Sequence, residues 1–253
     1  MIGETIARVV LHHPAIKRRI PPRTRASLEG RRIVAVDQRA KHQLLVLDDG
    51  RSLHVHFRMA GDWVLDRVGD ELPRSARASI EFASGKRLLL VDPRALSTIA
   101  VIAEGATPFD ALGPDPSSPD FDDAIATALS RRRTPVKVAL LDQQVAAGVG
   151  NIYAAEALWE ARIDPAAPAN SLSPVQVREL AGAIRTVLDR GRAGGRRYRE
   201  GAHSLNVYDR EGEACLRCET PIERIVQAGR STCFCPRCQG PSSTISKPRQ
   251  KKR

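Results

Sequence analysis

The sequence predicts an α+β protein with a β-rich first third, a helical middle and a small metal-bound hairpin near its end. Three observations carry that reading. Through residues 31–102 apolar positions alternate with polar ones, as in Leu53, Val55 and Phe57 against Ser52, His54 and His56, the period of a half-buried strand. Further on the spacing becomes helical, as in Val177, Leu180, Ile184 and Leu188. All five cysteines then fall between Cys215 and Cys238.

In chain order, RRIVAV, QLLVL, SLHVHF and RLLLV are strand candidates, and Asp48-Asp49-Gly50 is a hairpin turn between two of them. The turn-rich segment LGPDPSS, Leu112 to Ser118, reads as a linker. Ser118-Pro119 opens a helix with Phe121, Ile125 and Leu129 on one face, and Thr134-Pro135 opens another that runs to about Gln144. Asn151 caps a third, reaching about Arg162, and Ser173-Pro174 opens a long fourth. Residues 189–201, DRGRAGGRRYREG, read as a basic loop, and the tail SKPRQKKR as a short disordered one. The expected divisions are 1–110, 111–205, 206–240 and 241–253.

Hydrophobic residues make up 42% of the 253, enough for packed cores. No apolar run reaches the length of a membrane span, and MIGETIARVV has no signal-peptide pattern, so a bacterial-type cytoplasmic location is expected. The formal charge of +11 suits a polyanionic partner, of which nucleic acid is the common one. A generally basic, Arg-rich proteome is the alternative source of that charge.

Cys215-Leu216-Arg217-Cys218 and Cys235-Pro236-Arg237-Cys238 are two C-x-x-C knuckles with sixteen residues between them. That spacing points to one tetrahedral, structural Zn²⁺ held by Cys215, Cys218, Cys235 and Cys238. The intervening TPIERIVQAGRSTCF reads as a hairpin turning at Gly229, too small for a core of its own. Metal then supplies the folding energy, on the order of 10–16 kcal/mol. Cys233 is left over as a free thiol. Paired disulfides are the competing account.

Within residues 141–165, LDQQVAAGVGNIYAAEALWEARIDP, two helices meet at Gly148-Val149-Gly150-Asn151. The second begins with open N–H groups, a ready phosphate site. An ordinary helical hairpin would read the same way. The longer string resembles the helix–two-turn–helix of formamidopyrimidine-DNA glycosylases and endonuclease VIII. VYDREGEACLRCETPI and QAGRSTCFCPRCQ resemble the zinc finger of that family, and QRAKHQLLVL, HFRMAG, VDPR and ALGPDP its upstream motifs. The resemblance covers roughly residues 3–240.

It implies an N-terminal β-sandwich, a helix–two-turn–helix domain and a zinc-finger hairpin. It also implies a monomer that binds damaged double-stranded DNA, excises an oxidised base and cleaves the strand by β/δ elimination. Asn151 and Lys137 then match phosphate-binding residues. Arg230 matches a phosphate-gripping arginine with a part in the second elimination, and Lys41 a hairpin lysine that assists elimination. Met59 matches the wedge that fills the vacated stack, and Arg94 the residue that addresses the orphaned opposite base; Leu96, which differs from the family, can still act as an apolar wedge. Read alone, Lys41 is a solvated strand lysine, Met59 a core residue and Arg94 an ion-pair partner.

Two departures matter. The family starts Pro-Glu-Leu-Pro-Glu after Met removal, and the proline amine is its nucleophile. Met1-Ile2-Gly3-Glu4-Thr5 aligns with the end of the family's first helix, so nucleophile, acid and first helix are missing from this sequence. A misassigned start and a real truncation, leaving a lesion-binding protein without excision, are the two explanations, and enzyme activity depends on which holds. Secondly, Ala95 and Leu96 stand where the oxidised-purine enzymes carry Arg and Phe, and Ser75 and Arg77 where histidine-containing residues are expected.

Overall fold

A computed structural model of the chain describes residues 1–17, 20–193 and 205–240. Contacts divide it into two compact units, Met1–Ala111 and the chain from Leu112 onward.

The first unit is a β-sandwich. Its elements are β1 (Ile6–Leu11), short helices α1 (Pro14–Lys17) and α2 (Pro22–Ala26), β2 (Ile33–Arg39), β3 (His42–Leu47), β4 (Ser52–His56), β5 (Asp62–Arg67), β6 (Ala76–Phe82), β7 (Lys86–Val91) and β8 (Thr98–Ile102). They form two four-stranded sheets, β1-β6-β7-β5 and β2-β3-β4-β8, paired antiparallel throughout. One core joins both sheets, with Ile6, Val9, Ile80, Leu88 and Leu90 from one and Ile33, Leu45, Leu53 and Ile99 from the other. Burying each such side chain stabilises by roughly 1.5–3 kcal/mol.

All four sequence-expected strands are present, together with β1, β5, β6 and β8. β6 escaped because ARASIEF places Arg77 and Ser79 at buried positions, which hides its period. Asp48-Asp49-Gly50 turns β3 into β4, with Gly50 at a φ of 81° that favours glycine.

In the second unit, α3 (Phe121–Ser130), α4 (Val136–Leu141), α5 (Asn151–Glu160) and α6 (Pro174–Ala193) surround a separate core. The hairpin of β9 (Glu223–Gln227) and β10 (Arg230–Phe234) follows, turning at Ala228-Gly229, both at positive φ. Some helix limits differ from the sequence reading. α4 stops at Leu141 because Asp142 is extended, and residues 142–150 coil into two turns instead. Gly150 is the N-cap of α5, and Asn151 is its first helical residue. α3 starts at Phe121, after a turn in which Phe121 N donates to Ser118 O. α6 begins as expected: Ser173 and Gln176 cap each other reciprocally, Gln176 N to Ser173 Oγ and Ser173 N to Gln176 Oε1.

The segment expected to be a linker is anchored. Gly113 N donates to Gln143 O and Ala147 N to Pro114 O, so LGPDP lies along the two-turn segment. The expected basic loop is helical through Ala193, and its remainder and the tail lie outside the described residues.

Candidate metal centre and nucleic-acid interface

The four sulfurs of Cys215, Cys218, Cys235 and Cys238 all lie within 4.8 Å of one another. Cys215 Sγ is 3.9 Å from Cys238 Sγ, and Cys218 Sγ is 3.4 Å from Cys235 Sγ. Zn–S bonds of about 2.3 Å in a tetrahedron put sulfurs about 3.8 Å apart, so the donor set fits one zinc ion. Burial and the neighbouring thiols push Cys238 up to about 12, hydrogen bonds with Thr220 pull Cys218 down to about 6, and a bound zinc ion would hold all four as thiolates.

Side chains of the knuckles themselves anchor them to α5 and the residues that follow it. Gln239 accepts Cys235 N–H and donates to Ile163 O at 3.0 Å. The Arg217 guanidinium lies 3.6 Å from the Trp159 ring centroid, donates to Trp159 O and pairs with Glu160. Cys233 is a free thiol, as the sequence suggested, and is buried with Trp159, Val207 and Ile222.

The two turns before α5 are stapled by Gln143, whose Nε2 donates to Val149 O at 2.9 Å and whose Oε1 accepts Gly148 N–H at 3.0 Å. Gly148 sits at φ 85°. Asn151, at the head of α5, is half-buried and donates from Nδ2 to Ser231 O at 3.1 Å. Lys137 on α4 is fully buried. Its ammonium donates to Asn151 Oδ1, to Ser231 O at 3.1 Å and to Thr232 Oγ1 at 2.8 Å. Burial pulls it down to about 8, the Arg230 cation adds to that, and Cys233 opposes it. Lys137, expected among the phosphate contacts, therefore spends its three protons inside the protein, beneath Asn151 and the hairpin. Arg230 opens β10 at the hairpin turn and is exposed.

On the sandwich, Lys41 lies in the two-residue turn between β2 and β3, half-buried, after Ala40 at φ 56°. The FRMAG turn is tight, since a Cβ on Gly61 would stand 2.8 Å from Phe57 O. Arg58, at φ 58°, donates its N–H to His56 Nδ1, and Met59 is 73% exposed. That exposure rules out the core reading of Met59. Arg94 Nη1 approaches Met59 Sδ at 3.5 Å, and Leu96 is 47% exposed two residues on. The structure thus brings Arg94 and Met59 together. The Arg94 loop hangs on buried Asp92, whose carboxylate accepts N–H from Arg94, Leu96 and Ser97 at 3.0, 2.7 and 2.7 Å. Burial pushes this carboxyl up, but the three donors outweigh it and hold it below its usual range.

Sequence reasoning gave no role to three site features. His56 is pulled down to about 4, first by burial and then by His42, Arg58 and His54, so it is neutral near pH 7. With Nδ1 accepting from Arg58, its proton sits on Nε2. Glu156, 1% exposed, accepts N–H from Asn206, Val207 and Tyr208 and ties α5 to the turn segment entering the metal hairpin. Arg77 grips the Arg94 loop from beneath. The HVHF and YAAE strings carried the first two as visible signals, while Arg77 showed only as a departure from the histidine-containing residues expected there, without a role.

A sandwich joined to a helix–two-turn–helix and a four-cysteine hairpin defines a class of zinc-containing, cationic proteins. Family models match in the same order: the N-terminal domain of formamidopyrimidine-DNA glycosylase over residues 1–99, its H2TH domain over 112–199, and a zinc finger found in FPG and IleRS over 212–240. The formamidopyrimidine-DNA glycosylase of Chloroflexus aurantiacus is 41% identical over 252 residues, with 94% of this chain and 91% of that one covered. That of Paracoccus denitrificans is 38% identical, covering 94% and 93%. Among solved structures, MutM (Fpg) of Thermus thermophilus is similar with a TM-score of 0.83 and 36% identity, covering 95% and 93%. A Lactococcus lactis Fpg bound to FAPY-dG-containing DNA has a TM-score of 0.85 at 28% identity, covering 94% and 93%. The chain belongs to the formamidopyrimidine-DNA glycosylase family.

Proposed function

We propose that the chain is a base-excision repair protein that binds duplex DNA carrying an oxidised base, turns the damaged nucleotide out, releases the base and cleaves at the abasic site. The observation that carries this is the Arg94–Met59 contact beside exposed Leu96. A cation and two apolar tips held outside any core suit the gap left by an everted nucleotide: apolar atoms fill the stack and the guanidinium addresses the unpaired base. The relatives' names and the lesion DNA in the solved complexes support the same reading.

In this reading Asn151 and Arg230 hold phosphates near the lesion. Lys137 acts through Asn151, fixing its side chain by holding the amide oxygen while the amide nitrogen donates one proton to Ser231 O. Lys41 offers a cation for the elimination steps, and Arg230 takes part in the second. The protein works as a monomer in the bacterial cytosol, with double-stranded damaged DNA as its partner.

Base release and strand cleavage need a nucleophilic amine at C1′ of the sugar. In the family resemblance an N-terminal proline supplies it. Two measurements test the reading. Gel shifts should show tighter binding to a duplex with a tetrahydrofuran abasic analogue than to undamaged duplex; equal binding at low salt overturns the assignment. Borohydride should trap a covalent adduct between abasic-site DNA and the native gene product, and no adduct from that product removes the enzymatic half of the proposal.

A further inference from the structure

β6 and β7 pair antiparallel, but the register slips between Ala76 and Ala78, so Arg77 is the extra residue of a bulge. A bulge re-aims a side chain that regular pleating would send elsewhere. Residues Ala76 to Ile80 of β6 are all buried, Arg77 among them. Arg77 is only 8% exposed, and its guanidinium is aimed at backbone carbonyls. Nε donates to Asp92 O at 2.6 Å, Nη2 to Pro93 O at 3.4 Å and Nη1 to Arg74 O at 3.4 Å.

The two carbonyls at 92 and 93 immediately precede Arg94. Asp92 O also accepts Ala95 N–H, and Asp92 N donates to Ser75 O. The loop therefore has two clamps: the Asp92 carboxylate takes the N–H groups of Arg94, Leu96 and Ser97, and Arg77 takes the carbonyls on the other side. Ala95 needs both. It sits at φ 54°, a conformation that a residue with a Cβ keeps only where its surroundings enforce it. Arginine suits this task because its planar fork reaches several carbonyls at once, which neither a lysine nor an imidazole does.

We propose that Arg77 is a positioning residue that sets opposite-base discrimination, by fixing how Arg94 and Leu96 are presented to the base left unpaired when a nucleotide is turned out. This rests on the role given to the Arg94 loop under Proposed function. Arg77 touches no DNA. It acts through the Asp92 and Pro93 carbonyls, so its loss changes the ratio of affinities across opposite bases and not only their mean.

The test is binding of the wild type, Arg77→His, Arg77→Met and Arg94→Ala to abasic-analogue duplexes with C, A, G or T opposite, beside undamaged duplex. The wild type should discriminate among the opposite bases, and each Arg77 variant should compress that ratio by roughly threefold or more. Combining Arg77→Met with Arg94→Ala should add little to Arg94→Ala alone, because both act on one contact. Arg77→Lys keeps charge and length and should remain folded if the methionine variant does not. Its ratio should also be compressed, because one ammonium cannot span the carbonyls. Unchanged ratios in folded variants, with lesion preference intact, overturn this inference alone, as does a lesion-preferring wild type blind to the opposite base. A wild type that ignores the lesion overturns the proposed function and this inference with it.

Discussion

At the scale of single residues, two buried charges carry distinct consequences. Glu156 is enclosed, yet both its oxygens are satisfied by four N–H donors from residues 206–208. Glu156→Gln turns an amide donor toward those donors and removes the charge, and should destabilise the second unit by about 3 kcal/mol, read as a lower melting temperature. A loss within experimental error would mean the contacts contribute nothing net. Lys137 has the opposite signature. Burial penalises its charged form, lowering it from 10.5 to about 8. The penalty is complete below pH 8 and is relieved as pH rises from 8 toward 10.5, because over that range the unfolded chain binds the proton that the folded one has released. Wild-type stability relative to Lys137→Met should therefore rise across pH 8–10, by up to about 3 kcal/mol. Urea denaturation of both proteins checks it, and a flat difference shows that the ammonium is not desolvated.

At the scale of elements, the two-turn segment and the metal hairpin are each held by something outside themselves. A Cβ on Gly113 would lie 2.1 Å from Gln144 O, a backbone atom that cannot step aside. Gly113→Ala should thus displace residues 142–150 or break the Gly113–Gln143 bond, costing about 2 kcal/mol or more and weakening DNA binding with it. The same change at Gly182, which meets nothing within 4 Å, is the matched control and should cost nothing. The hairpin packs only a small cluster around Trp159, Val207 and Ile222, so its four thiolates and their metal carry its stability. Chelation should release one zinc per chain and unfold residues 206–240, while amide protection persists in the sandwich, whose core is separate. Loss of protection in both together would show that the sandwich depends on the metal.

For the whole molecule, charge is the governing quantity. With a net +11, affinity for DNA should fall steeply with salt, since each phosphate neutralised releases counterions. Arg230→Ala, at an exposed position, should lower the slope of log K against log salt by about one, whatever the DNA sequence. An unchanged slope with weaker binding would place Arg230 away from phosphate. No helix among the described residues is long and apolar enough to cross a membrane.

Period and spacing were enough for much of this protein. Alternation in SLHVHF, the three-and-four pattern of α6 and the paired C-x-x-C knuckles are local properties, and local sterics and ligand geometry decide them. The stop of α4 at Leu141 was not legible, because the two turns that follow are held by Gln143 and by LGPDP from another part of the chain. Met59 and Arg94, 35 residues apart, meet only because two sandwich turns converge. Lys137 reads as one more surface cation until α4, α5 and β10 close over it, and Arg77 as a strand arginine until a bulge turns it inward. Sequence by itself determined four of the strands, the four longer helices apart from their limits, and the metal ligands, which depend on neighbours along the chain. Only tertiary structure decided which charges are buried and what they hold, because desolvation and hydrogen bonding depend on atoms that come close in space from distant positions in the chain.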